Sequence, residues 1–272
     1  MAQQLFPEPQ TGAEQMISSE PAFKPSTEIP LSGRYVTLTA LKQRNIPELW
    51  DSLQSTSQSV FHFLPWKTPQ NAIDFQNTIE QIKSRGFILF AIYANSSRLS
   101  ANETHEVPDS NRHTEILGMI GYLDISPSNR ALELGAVLFG PILQRTTAAT
   151  EAHYLMLKYA FEGNNHSTQP TYRRVSWKCN SANSASRKAA ERLGFTYEGT
   201  FRNHMVVRGV SRDSDWLSII DEEWPPVKKA LETWLDDSNF TADGRQLRTL
   251  KQIREEMKTM RNVMLVWYGM DS

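Results

Sequence analysis

The sequence is poorest in cysteine, with one residue, Cys179, among 272. An internal disulfide is excluded. The start, MAQQLFPEPQ, also lacks the basic stretch and apolar core of a signal peptide, so a cytoplasmic location is expected. No apolar run approaches the ~18 residues of a membrane-spanning helix, and no membrane partner is expected. An excess of either charge is missing as well: 29 Lys and Arg against 30 Asp and Glu give a formal net charge of −1. Bulk electrostatics therefore gives no support to a nucleic-acid partner. Neither G-x-G-x-x-G nor G-K-[ST] occurs, which removes the glycine-rich nucleotide loops. His105 and His113 stand in a polar stretch without metal-ligand spacing, and no metal is expected. What is present, 39% hydrophobic and 22% charged residues, is the balance of an ordinary globular chain, long enough for one large domain or two small ones.

Residues 1–29 are polar and dotted with proline, and read as a disordered N-terminal arm. LSGRYVTLTAL (31–41) alternates and predicts a first strand. NIPELWDSLQ reads as a short helix capped by Asn45. TPQNAIDFQNTIEQIKSRG reads as a longer one capped by Thr68 and ended by Gly86. FILFAIY (87–93) is a buried strand, 96–114 a polar surface insertion, and ILGMIGYLDI and ALELGAVLF two strands joined by SPSNR. A helix beginning near Thr146 precedes the strand RVSWKCN (174–180), the helix NSASRKAAERLG and two strands around a Gly-containing turn. PPVKKALETWL and RQLRTLKQIREEM read as terminal helices, the first opened by Pro225-Pro226. The fold class is thus α/β, of the mixed α+β kind: a mostly antiparallel sheet flanked by helices, with extra helices at the C-terminus. The expected units are the arm 1–29, a domain over 30–236 and a helical extension over 237–272.

The junction GPILQRTTAATEA (140–152) carries the first functional signal. A helix start exposes unpaired N–H groups and a partial positive charge, which attract phosphate or carboxylate. Small residues keep this one uncrowded, threonine hydroxyls can cap it or donate to an anion, no acidic side chain lies within 140–150, and Arg145 adds a positive charge. A plainly capped helix would look the same. The second signal is NSANSASRKAAERLGFTYEG (180–199), with a cap at Asn183 and a stop at Gly194. Ser186, Ala189, Ala190 and Leu193 share one face there, which points the Ser186 hydroxyl towards the sheet.

In these stretches the chain resembles the GNAT superfamily of acyl-CoA N-acyltransferases, and more narrowly its RimJ/RimL-like branch. Gln144 and Ala149 match the first and last positions of the Q/R-x-x-G-x-G/A signature, whereas Thr147 stands where glycine is usual. ATEA (149–152), N-x-x-S…LGF-x-x-EG (183–199), RD-x-x-W-x-S-I-x-D-x-EWP (212–225) and ELG on the preceding strand are typical of the branch. The resemblance spans about residues 31–225.

It implies a GNAT fold whose sheet splits between the fourth and fifth strands, and acetyl-CoA as co-substrate. The pyrophosphate would sit on amides from Gln144 through Arg145, Thr146, Thr147 and Ala148 to Ala149. The pantetheine arm would run beside Val137, Leu138 and Phe139, with Asn180, Asn183 and Ser186 completing the coenzyme site. A primary amine, either a protein N-terminus or a small molecule, would attack the thioester directly. Many family members place a tyrosine where Ala190 stands, and Ser186 is the substitute donor for the leaving thiolate. Glu133 is the leading candidate for general base, grouped by alternation with Gly135 and Val137. Asp124 and His204 follow, and positioning alone also supplies rate. Trp66, Trp177 and Trp216 are candidates to contact the acceptor, and for Trp216 core is the better reading. Cys179 reads as a small core residue. The tail VMLVWYGM (263–270) packs on the domain or forms a homodimer contact. The competing function is a non-catalytic GNAT-fold module for CoA binding or interaction, with Thr147 and the missing tyrosine marking lost chemistry.

Overall fold

The computed structural model describes residues 18–53, 60–95, 115–164 and 169–268, with side chains up to 260. The polar insertion 96–114, the arm before residue 18 and the apolar side chains of the C-terminal tail lie outside the described residues. Eight strands form one sheet among the described residues: β1 (Leu31–Ser32), β2 (Val36–Ala40), β3 (Ile88–Ala94), β4 (Ile116–Ser126), β5 (Ala131–Phe139), β6 (Arg174–Asn180), β7 (Thr196–Val207) and β8 (Val210–Ile220). Their order is β1-β2-β3-β4-β5-β6-β8-β7, antiparallel throughout except for β5 with β6. The helices are α1 (Ile46–Leu53), α2 (Ala72–Ser84), α3 (Thr147–Glu162), α4 (Ser184–Leu193), α5 (Trp224–Leu235) and α6 (Leu250–Tyr268). One apolar core lies between the sheet and α3, α4 and α5, reached also by the start of α6. The other lies on the opposite face, under α1 and α2.

Three expectations change. The single strand over 31–41 is a fold-back of β1 on β2, paired Leu31↔Leu38. Its cause is Glu151 of α3, whose carboxylate accepts the N–H groups of Arg34 (2.7 Å), Tyr35 (2.6 Å) and Val36 (2.9 Å). Gly33 is needed beside it, because a Cβ there would fall 2.4 Å from the Glu151 carboxyl carbon. Second, α2 is capped by Asn71 and not Thr68: the Asn71 side chain accepts from Asp74 N–H at 2.9 Å. Third, residues 18–29 are docked and not a disordered arm. Phe23 is buried against Tyr159 and Tyr172, its amide donates to Pro170 O (3.0 Å), and its carbonyl accepts from Tyr172 Oη (2.8 Å).

β5 carries a bulge. Its ladder with β4 steps from Met119↔Leu138 to Gly121↔Gly135, and Ala136 takes a positive φ of 51°. The extra residue reverses the alternation. Leu132, Leu134, Val137 and Phe139 therefore contact the first core, and Ala136 and Leu138 the second. Glu133 shares its face with Gly135 but not with Val137, contrary to simple alternation.

The C-terminal segment closes on the domain. α6 packs against α5 and α4, and Arg254 donates to the carbonyls of Arg192 (2.6 Å) and Glu191 (3.2 Å) at the end of α4. These carbonyls are the ones a helix leaves unpaired.

Candidate active site

The parallel pairing of β5 with β6 covers three residue pairs, Ala131↔Arg174, Leu132↔Val175 and Glu133↔Ser176. Beyond Glu133 the strands part, and a cleft of about 1110 Å³ opens between them. Ser176 Oγ donates to Leu132 O at 3.1 Å near the point of parting.

The start of α3 stands at the mouth of this cleft. Gly140 makes the turn possible, since a Cβ there would come 2.7 Å from Ser52 O. Thr146 caps α3 by accepting from Ala149 N–H (3.1 Å), and its hydroxyl donates to Leu143 O (2.7 Å) in the turn before the helix. The amides of Gln144 and Thr146 bond to Gly140 O and Leu143 O, and Gln144 Nε2 donates to Phe139 O at 2.8 Å. The run of amides expected from Gln144 to Ala149 is thereby narrowed. Among the described residues that line the cleft, Arg145 and Thr147 bring amides without a partner. Arg192 of α4 reaches back to this corner, donating to Thr150 Oγ1 at 3.1 Å while lying over the Trp234 ring. The mouth thus holds two guanidinium groups, of Arg145 and Arg192, beside a helix N-terminus.

Inside, the two faces of the sheet differ. On the α3–α4 face, Trp177 stacks on His153, with centroids 5.6 Å apart, and donates from Nε1 to Ser186 Oγ at 3.0 Å. Asn183 caps α4 by accepting from Ser186 N–H at 3.1 Å. His153 is buried between Phe139 and Trp177. Its Nδ1 lies 2.7 Å from Ala149 O, and among the described residues its Nε2 has no partner. Burial takes the His153 ring down to about 4, so it is neutral at pH 7. With Nδ1 carrying the hydrogen that meets Ala149 O, Nε2 is a bare acceptor beside the cleft. Burial likewise pushes the Cys179 thiol up, which disfavours the thiolate.

On the opposite face stands Glu133, 5% exposed. Lys178 of β6 lies 2.6 Å from Glu133 Oε2 and 2.6 Å from Asp124 Oδ2, with its ammonium over the Trp216 ring. The Asp124 contact is a hydrogen bond. Lys178 also holds Glu133 Oε2 in a short, charge-assisted ion pair. Burial pushes the Glu133 carboxyl up to about 7, against the opposing pull of Lys178. Burial opposes the Lys178 charge, but Glu133 and Asp124 outweigh it and the ammonium is held above its usual range. A carboxyl poised near neutrality in a cleft is suited to accepting a proton.

Most sequence-predicted residues meet at this cleft. Glu133, Val137, Phe139, Gln144, Arg145, Thr146, Thr147, Ala149, Asn180, Asn183, Ser186, Trp66 and Trp177 all line it. Leu138 and Ala148 are fully buried behind it, and Trp216 lies under Lys178 without joining the lining. Trp177, grouped beforehand with the acceptor residues, stands instead on the α3–α4 face with His153 and Ser186. Sequence reasoning missed His153, Lys178 and the role of Arg192. A histidine amid the apolar run of α3, and a lysine alternating with Trp177 and Cys179, were the signals available. The C-terminal segment was read as an extension, yet its Phe240 and Gln246 line the same cleft, beside Trp234 of α5.

A mixed sheet that parts beside an uncrowded helix start, with a buried carboxyl where it parts, defines the class: an acyltransferase fold of the GNAT type. The model for the GNAT acetyltransferase domain matches residues 36–196, and the chain belongs to that family. Among solved structures, a GCN5-related N-acetyltransferase from Brucella melitensis is 32% identical, with a TM-score of 0.72 over 87% of this chain and 98% of that one. A GNAT-family protein from Chromobacterium violaceum is 30% identical, with a TM-score of 0.63 over 82% of this chain and 98% of that one. RimL, a ribosomal L7/L12 α-N-protein acetyltransferase solved with coenzyme A, shares the fold at 18% identity, with a TM-score of 0.54 over 72% of this chain and 99% of that one. No match is found among curated proteins.

Proposed function

We propose that the chain transfers an acetyl group from acetyl-CoA to a primary amine, as a cytoplasmic enzyme of the RimJ/RimL-like branch. The observation that carries this reading is a coincidence in space. β5 and β6 part immediately after Glu133↔Ser176, and Glu133 is buried at that point in an ion pair with Lys178. The residues present fit the coenzyme. The amides of Arg145 and Thr147, with the two guanidinium groups at the mouth, would hold its diphosphate. His153 Nε2, an orphaned acceptor, would take an amide hydrogen from its pantetheine arm.

When bound, the coenzyme supplies an acetyl thioester whose sulfur departs as a thiolate. The Glu133 carboxylate takes the proton from the amine nitrogen as that nitrogen bonds to the acetyl carbon. Lys178 fixes the Glu133 carboxylate and keeps its basicity near neutrality. Ser186 Oγ accepts from Trp177, and its own hydrogen, within reach of the Cys179 thiol, would turn to the departing sulfur. Trp66 walls the approach of the amine. The transferase unit is assigned to residues 30–236, with 237–272 as an extension that completes one wall of the cleft.

Thermal-shift titration with acetyl-CoA, followed by thiol release with an amine panel, tests the proposal. Coenzyme at 100 times its Kd stabilises a binding protein by about 2.7 kcal/mol. No shift at saturation sinks the coenzyme reading. A shift without thiol release from any amine supports the non-catalytic module.

A further inference from the structure

The acceptor side of the cleft contains a cation that the acetyl-transfer reading does not use. Arg212, near the start of β8, is 9% exposed and lines the cleft. Its Nη1 donates to Phe63 O at 3.1 Å, which ties the hairpin of β7 and β8 to the loop before Trp66. Its Nε is buried without any partner, and no acidic side chain pairs with it among the described residues. The neighbouring Arg208 is different: it is exposed and spends its donors on His62 O and Thr68 Oγ1.

A guanidinium removed from water and left without a counter-charge is unfavourable unless an anion arrives. Burial pulls the Arg212 charge down, as expected for a cation short of partners. Strand alternation sets Arg212, Ser214 and Trp216 on one face of β8, and their register places that face with Lys178 and Asn180 of β6. Lys178 in turn meets Glu133. The proton acceptor and the unpaired cation therefore face one chamber. Asp124 and Glu133 take up the charge of Lys178, while Arg212 feels Glu133 only at a distance and has no ion pair among the described residues.

We propose that the acceptor is an amine that also carries a carboxylate, and that Arg212 binds this carboxylate while the amine meets Glu133. This rests on the acetyl-transfer reading and narrows its substrate class. Two sources offer the same chemistry: a free amino acid, or a peptide with an acidic residue at its N-terminus.

The test compares acceptors that differ only in that charge. Glycine, β-alanine and γ-aminobutyrate are set against their amides, and peptides beginning with Asp or Glu against those beginning with Asn or Gln. Thiol release gives kcat/KM for each. The wild-type protein prefers the carboxylate member of one series by about 10- to 100-fold, as a charge-assisted bond to a buried group provides. The series that shows the preference identifies the source. In Arg212→Gln the preference falls towards one, and Arg212→Lys retains part of it. Acetyl-CoA thermal shifts confirm that both variants are folded.

Equal kcat/KM for carboxylate and amide in both series overturns the proposal, as does a preference that survives Arg212→Gln in folded protein. If no amine is acetylated, the transfer reading fails separately. Thermal shift by the carboxylate probes then decides: an Arg212-dependent shift keeps the carboxylate site, and none removes it.

Discussion

Replacing Glu133 by glutamine preserves the shape of the side chain and removes the oxygen proposed to accept the proton. Two consequences follow from its surroundings. In catalysis, loss of a positioned general base lowers kcat by about 10²- to 10⁴-fold. The pH profile of the wild type should rise with pH and level off above about 7, where burial has set the Glu133 carboxyl. In Glu133→Gln that rising limb disappears. In stability the sign is opposite. The folded protein holds this proton more tightly than the unfolded chain, whose carboxyl titrates near 4.5. Stability from this group is therefore full below pH 4.5 and is lost as pH rises to about 7. At ~1.36 kcal/mol per pH unit the gap amounts to about 3 kcal/mol. Denaturant unfolding at pH 5 and pH 8 reads it directly, and the variant should show a smaller difference between the two. A rising limb that persists in folded Glu133→Gln, or a kcat within twofold of the wild type, refutes the assignment.

Lys178→Met removes the charge that holds Glu133 down, so the rising limb of the pH profile moves to higher pH; a limb that stays in place or moves lower contradicts the ion pair. Glu151→Ala leaves the amides of Arg34, Tyr35 and Val36 without an acceptor, and at ~1–3 kcal/mol for each of the two buried donors, Tyr35 and Val36, the variant loses at least about 2 kcal/mol, read by urea unfolding. A loss under about 1 kcal/mol would mean that the fold-back of β1 on β2 does not depend on that carboxylate. His153→Phe keeps a ring between Phe139 and Trp177 but deletes Nε2. Calorimetric titration should show acetyl-CoA binding weakened by about 3- to 10-fold, and an unchanged Kd removes His153 from the coenzyme site. Ser186→Ala strips the partner from Trp177 Nε1 and costs about 1–2 kcal/mol of stability. A fall in kcat beyond that loss supports the thiolate donor, whereas unchanged turnover reduces Ser186 to holding Trp177.

Local chemistry made much of this fold legible. RVSWKCN is the observed β6 from end to end, and the Asn183 cap and Gly194 stop bound α4 as their residue types require. The bulge at Ala136 was not legible, because alanine carries no mark of a positive φ. That one residue moved Val137 to the face opposite Glu133. Nor was the Glu133–Lys178 pair, since its members come from two strands separated by a helix and are brought together only by the parallel register. Arg212 belonged to a recognised motif, but its burial and its unsatisfied Nε exist only in three dimensions. The docked residues 18–29 were misread because their contacts, to Arg130, Pro170 and Tyr172, lie far along the chain.

Three rungs of backbone pairing join β1–β5 to β6–β8 across the sheet. Mechanically the molecule is two half-sheets zipped for a short length and then left unzipped. A slender guest lying along the unzipped edges acts as a stitch, so amide exchange in the far halves of β5 and β6 should slow most when the guest is present. The seam proposed to admit the thioester is also where the protein has most rigidity to gain.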